Sequence, residues 1–155
     1  PCISKKLEAL SSEVDEHVDY IITFEELAAI FVAADIELTK IEEEEEINDA
    51  SYYGRAYANA GGVAEAIQEN LSEKYDEEIE IETADGLNDC KKMLLKAASD
   101  QYNGYLLEGM ACPGGCVGGP GTLLRTSRGA SNVKKFADKS PFKSAVENEN
   151  LNNQE

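Results

Sequence analysis

Three of the four cysteines stand in short segments whose spacing suits metal chemistry. Cys112 and Cys116 bracket Pro113-Gly114-Gly115, and Gly118-Gly119 follow closely. Two thiolates four residues apart can hold a soft metal or an iron–sulfur cluster, and they can equally form a disulfide or lie as buried thiols. The glycines permit positive φ, allow close backbone approach to a bulky group, and leave amide N–H groups able to point at sulfur. Cys2 opens the chain within Pro1-Cys2-Ile3-Ser4-Lys5-Lys6-Leu7-Glu8. An ammonium such as Lys5 near an anionic, poorly solvated centre is a charge-assisted hydrogen-bond donor. Taken alone, Lys5 reads as a surface lysine beside Lys6.

The elements that must position these residues alternate between strand and helix patterns, which predicts an α/β fold with a parallel β-sheet flanked by helices. A short helix is expected from Lys5 to about Ser12. Val18–Ile22 is a β-branched apolar run and reads as a strand. Thr23 with Glu26 forms a capping box, and Leu27, Ile30, Phe31 and Ala34 then fall on one inward stripe. Glu42–Glu46 reads as a solvated acidic run. Tyr52–Ala60 leads into Gly61-Gly62 and a helix with Val63, Ala66, Ile67 and Leu71 inward. Glu78–Thr83 alternates like a half-exposed strand. Asn88 or Asp89 is expected to cap a helix whose inner face is Leu87, Cys90, Leu94 and Ala97. Cys90 on that stripe reads as a small buried hydrophobe. Tyr105–Leu107 reads as a strand that delivers Met110 and the cysteine loop, and the carboxyl ends of parallel strands are where open α/β sheets place ligands. Ser131–Ala137 reads as helical, and the chain beyond Pro141 as frayed.

Composition bounds the rest. The 155 residues are one domain's worth of chain, with 42% hydrophobic residues, and no apolar run reaches the roughly 18 residues of a membrane span. The formal net charge of −17 excludes a nucleic-acid surface. The charge is uneven: residues 1–122 hold 27 acids and 8 bases, whereas 123–155 hold 4 acids and 6 bases. His17, the only histidine, sits among acids and reads as a surface residue. Tyr52, Tyr53 and Tyr57 read as packing residues. Gly61-Gly62 satisfies neither a dinucleotide fingerprint nor a P-loop. A radical-SAM pattern would need a third cysteine at position 119, which is glycine.

The two cysteine segments resemble signatures of the FeFe (iron-only) hydrogenase catalytic domain. Met110-Ala111-Cys112-Pro113-Gly114-Gly115-Cys116-Val117-Gly118-Gly119 is similar to its M-A-C-x-x-G-C-x-x-G-G motif, and the opening octet to M-P-C-x-x-K-x-x-E without its Met. Val18-Asp19-Tyr20-Ile21-Ile22-Thr23 with Glu26-Leu27, and Gly61-Gly62-Val63-Ala64-Glu65-Ala66, also fit family stretches. The resemblance runs from Pro1 to about Gly121. It implies one lobe of the large-subunit domain over 1–122, followed by a helical, weakly basic extension over 123–155.

The resemblance further implies that Cys2, Cys112 and Cys116 are three of four ligands to a 4Fe-4S cubane. Cys116 would also bridge to a two-iron subcluster carrying CO, cyanide and a dithiolate, completing the H-cluster. Lys5 would face a cyanide, and Met110 would lie beside the bridging CO. The fourth cysteine would come from an upstream lobe of the T-S-C-C-P or T-S-C-S-P type. The implied reaction is reversible reduction of protons to dihydrogen, with ferredoxin or another electron carrier as partner, in the cytoplasm. The 155-residue chain alone is expected to be inactive and nearly empty of iron, with a mobile cysteine loop. Gly118-Gly119-Pro120-Gly121-Thr122 departs from the family's G-G-G-Q-P continuation, which suggests a low-turnover hydrogen-sensing branch as an alternative. An iron–sulfur assembly scaffold of the prelamin-recognition-factor-like group is another, although Lys5 and Met110 speak against it.

Overall fold

Thr23 and Glu26 begin a helix by satisfying each other's backbone. Thr23 Oγ1 accepts from Glu26 N at 3.3 Å, and Glu26 Oε2 accepts from Thr23 N at 2.8 Å. This expected capping box belongs to one of two compact units in the computed structural model, which describes residues 2–11, 14, 18–42 and 49–148. The first unit comprises Pro1–Glu46 and Gly119–Arg125, and the second Ile47–Gly118 and Thr126–Glu155.

In the first unit, extended Cys2 precedes α1 (Ile3–Ala9), which starts earlier than the sequence pattern indicated. The capping box opens α2 (Phe24–Ala33), and a 3-10 turn follows at Leu38–Lys40. The expected inner stripe of α2 is incomplete: Leu27 and Phe31 are half-buried, while Ile30 and Ala34 are exposed. Val18–Ile22 is not a strand. A strand exists through its ladder, and the two strands among the described residues pair only with each other. Glu43–Glu46, Ser12 and His17 lie outside the described residues.

The second unit is built on a βαβ crossover. Strand β1 (Ile81–Asp85) pairs in parallel with β2 (Leu106–Met110), from Ile81 opposite Leu106 to Asp85 opposite Met110. Before them come α3 (Tyr52–Ala56) and α4 (Gly62–Tyr75); between them lies α5 (Leu87–Ala97); after them comes α6 (Thr126–Ala137). The fold is α/β, a parallel two-stranded sheet with helices.

Two helix faces differ from the sequence pattern for identifiable reasons. On α5 the inward residues are Cys90, Met93 and Ala97, while Leu87 and Leu94 are exposed. Gly109 on β2 has no side chain, and the space is filled from α5: a Cβ there would lie 3.1 Å from Cys90 Sγ and 3.5 Å from Met93 Cε. The helix is started by Gly86, at φ +95°, rather than by Asn88 or Asp89. On α4 the buried side chains are the small Ala64 and Ala66, with Val63 and Leu71 half-buried and Ile67 exposed. Gly62 allows the close approach to α3, since a Cβ would lie 2.4 Å from Ala56 O.

The segment beyond Pro141 is anchored as far as it is described. Tyr52 N donates to Phe142 O and Tyr53 N to Lys143 O. Ser144 and Asn148 are among the most buried side chains of the chain. Ser144 Oγ donates to Glu73, and Asn148 Nδ2 donates to Asp49 O. Lys143 pairs with Glu69, and that hydrogen bond raises the pKa of the ammonium. Arg55 joins α3 to α6: its Nη1 donates to Phe136 O at 3.0 Å, and its guanidinium lies 4.4 Å from the Phe136 ring centroid.

Candidate functional site

The cysteine loop leaves the carboxyl end of β2. Met110, half-buried, is the last strand residue, and its carbonyl accepts from Gly86 N at 2.8 Å. Cys112 is half-buried and Cys116 exposed, and both are free thiols. Gly114 and Gly115 adopt φ values of +83° and +88°, a region that costs any other residue strain.

Most of the backbone between the thiols is already committed. Gly114 N donates to Asp85 Oδ1 at 2.6 Å, and Gly115 N to Cys112 O at 2.9 Å. Val117 N donates to Ala58 O at 3.1 Å, and Gly118 N to Gly115 O at 3.0 Å. Ala60 N donates back to Gly114 O at 3.2 Å. The glycines therefore do not leave these four amides available to sulfur, contrary to the expectation from sequence. Their shape allows contact instead. A Cβ on Gly115 would meet Ala60 N at 2.5 Å, and one on Gly114 would meet Thr126 Cγ2 at 2.3 Å. The expected mobility of the loop is opposed by the same contacts.

Cys2 and Lys5 belong to the first unit. Cys2 is half-buried, and its neighbour Ile3 donates its N–H to Pro120 O at 3.1 Å. A Cβ on Gly121 would lie 3.8 Å from Cys2 Cα. The residues that depart from the family continuation thus lie beside Cys2. Lys5 forms an ion pair with Glu8 on the same helix, and Lys6 pairs with Glu26. The Lys6 hydrogen bond, then that from Thr23 N, holds the Glu26 carboxyl below its usual range.

Three residues that the sequence reading passed over help build the site. Asp85 ends β1, and an Asp-Gly pair closing a strand was the available signal. Glu108, two residues before Met110, is 9% exposed. Its Oε1 accepts from Gly61 N at 3.2 Å and its Oε2 from Ala64 N at 3.1 Å, so a buried carboxylate caps the start of α4. An acid inside an apolar strand run was its signal. Thr126 opens α6 and wedges against Gly114 and Gly118; nothing in its sequence context marks it. Cys90 Sγ faces Met110 O at 3.5 Å and Ala84 O at 3.8 Å, between α5 and the sheet.

The donor set suits a soft metal centre: two unbridged thiols on a rigid glycine loop. Asn59, whose backbone packs on Gly115, has a buried Oδ1 with no hydrogen-bond partner among the described residues. Such an orphan is resolved by a water or a bound group. Among the described residues no three His, Cys, Asp or Glu side chains gather into a metal-binding group.

The unit is an α/β one, with two free cysteines on a glycine loop at the carboxyl edge of its parallel strands. Comparison with known proteins is more specific. The family described as iron only hydrogenase large subunit, C-terminal domain, matches residues 1–120, and the chain belongs to that family. Members are hydrogenases, a class of oxidoreductase, and their cofactors are of the iron–sulfur kind. The chain is similar to Iron hydrogenase 1 of Clostridium pasteurianum, at 28% identity over an alignment of 155 positions that covers 78% of this chain and 27% of the relative. It thus spans about a quarter of that protein's length. No helix among the described residues is long and apolar enough to cross a membrane.

Proposed function

We propose that the chain is part of the active-site domain of an iron-only hydrogenase, with Cys2, Cys112 and Cys116 as ligands to a 4Fe-4S cubane. In this reading Cys116 would also help hold a two-iron subcluster. The observation that carries the reading is the Cys112–Cys116 loop, held in shape at the sheet edge with both thiols unbridged. When bound, the cofactor supplies the redox chemistry by which two protons and two electrons give dihydrogen, and the reverse. Cys112 and Cys116 present thiolates from a fixed backbone. Met110 offers a soft thioether suited to an apolar pocket. Lys5 supplies an ammonium donor, oriented along α1 by Glu8. Ferredoxin or a similar carrier exchanges the electrons. A fourth thiolate comes from an upstream lobe, and exposed apolar residues in the first unit (Ile3, Leu7, Leu10 and Tyr20) support a covering partner.

In protein loaded by a hydrogenase maturation system, Cys116→Ser should lose the infrared CO and cyanide bands. Bands like those of the parent would sink the reading. Lys5→Asn should weaken retention of the two-iron unit while leaving the cubane EPR signal. For the 155-residue chain alone, anaerobic reconstitution with iron counting should give less than one cubane per chain.

A second reading is favoured by Pro120 bonding to Ile3 and Gly121 lying beside Cys2. A changed backbone there suits a low-turnover, hydrogen-sensing member. A turnover rate typical of catalytic hydrogenases in the loaded protein would exclude it.

A further inference from the structure

Strand β1 ends where the cysteine loop is built, and the two meet through three contacts. Gly86 N donates to Met110 O at 2.8 Å. Pro113 packs over Gly86, its Cγ 3.7 Å from where a Cβ would stand. Asp85 Oδ1 accepts from Gly114 N at 2.6 Å, the only one of the three made by a charged side chain.

Gly114 lies midway between the two thiols, and a glycine next to a glycine is the loop's natural swivel. Both peptide planes flanking it are nevertheless fixed. The 114–115 plane is held by Ala60 N on Gly114 O at 3.2 Å. The 113–114 plane is held by Asp85 on Gly114 N. Thr126 closes the remaining side, because its Cγ2 occupies the space a Gly114 side chain would need. Ala60 and Thr126 act through backbone and packing. Asp85 acts through a side chain exposed to solvent, so its contribution can be removed without opening a core.

The geometry points to Asp85 as the positioning residue of the cysteine loop. Its carboxylate fixes the 113–114 peptide plane and thereby the relative placement of the Cys112 and Cys116 thiols. This rests on reading those cysteines as metal ligands, and it assigns the effect to the carboxylate as an acceptor rather than to its charge.

The test uses cadmium ion alone as the probe, on the full chain with Cys2 and Cys90 replaced by Ser so that only the loop pair binds. Asp85→Ala removes the acceptor, and Asp85→Asn keeps an amide oxygen in its place. Asp85→Ala should weaken cadmium binding by up to about tenfold, the scale of one hydrogen bond. Asp85→Asn should stay within about threefold of the parent. Gly114 amide exchange, read by NMR, should be slow in the parent and in Asp85→Asn, and fast in Asp85→Ala. Unchanged cadmium affinity and unchanged Gly114 exchange in Asp85→Ala would overturn the proposal. So would an Asp85→Asn variant as weak as Asp85→Ala, since the effect would then belong to charge. A parent that gives no thiolate–cadmium absorption removes the ligand reading itself; the Gly114 exchange rates then still decide whether Asp85 holds the loop.

Discussion

Cys2 and the Cys112–Cys116 pair are held in different ways. The helix that follows Cys2 keeps its apolar side chains in solvent, with Leu7 75% and Leu10 77% exposed. Its side chains pair as Lys5–Glu8 and Lys6–Glu26, and exposed ion pairs contribute little. In the whole first unit, Thr23 is the one buried side chain among the described residues. The loop of the second unit rests on backbone hydrogen bonds and on glycine contacts too close for any other residue. The Cys112–Cys116 loop is preorganised by its own unit. Cys2 sits on a unit that has buried little apolar surface, the main source of stability.

The sharpest way to break this contrast is at Gly115. Gly115→Ala places a Cβ 2.5 Å from Ala60 N at a positive φ, and should destabilise the second unit by about 3 kcal/mol. Urea unfolding read by amide exchange should register the loss in the second unit. An effect below the error of such a titration would show that the loop is not the rigid element described.

Glu108→Ala should come next, at about 2 kcal/mol, because it strands the Gly61 and Ala64 N–H groups. The same unfolding titration measures it, and faster exchange should appear first at the start of α4. In the first unit, Thr23→Ala removes one arm of the capping box and should cost about 1 kcal/mol, confined to α2. No change in the exchange of α2 would remove the capping box from the account.

The smallest expected effect is one of pH. Glu26 is held below its ordinary value by Lys6 first and by Thr23 N second. A carboxylate depressed in the folded state stabilises fully above its unfolded pKa, and that stabilisation fades as pH falls through the depressed folded value. Protection at the start of α2, relative to the intrinsic exchange rate at each pH, should therefore fall at acid pH. Lys6→Met should weaken that dependence. A pH-independent α2 would remove the ion pair from the account.

What the sequence made legible were features set by neighbouring residues. Thr23 and Glu26 are three apart, and their capping box formed. The apolar run expected at Tyr105–Leu107 overlaps the start of β2 (Leu106–Met110), whose end delivers Met110 and the cysteines. What stayed illegible depended on distant partners. Val18–Ile22 has strand composition but no ladder to join. The inner face of α5 turned toward Met93 because Gly109, on another element, leaves a gap there. The start of α6 at Thr126, five residues before Ser131, follows from packing, since Gly129 lies against Val117. Asp85 and Glu108 act across 29 and 44–47 residues of chain, a separation that no local pattern encodes.

The anchored segment after Pro141 has a practical consequence for anyone who would trim the protein. The family match stops at residue 120, and a fragment cut at that boundary would look complete by homology. It would lack α6, the Phe136 carbonyl and ring that receive Arg55, and the Ser144 and Asn148 plugs. Such a truncation would bare a buried guanidinium and the flanks of α3 and α4. Aggregation on expression would then report a misplaced cut rather than a missing cofactor.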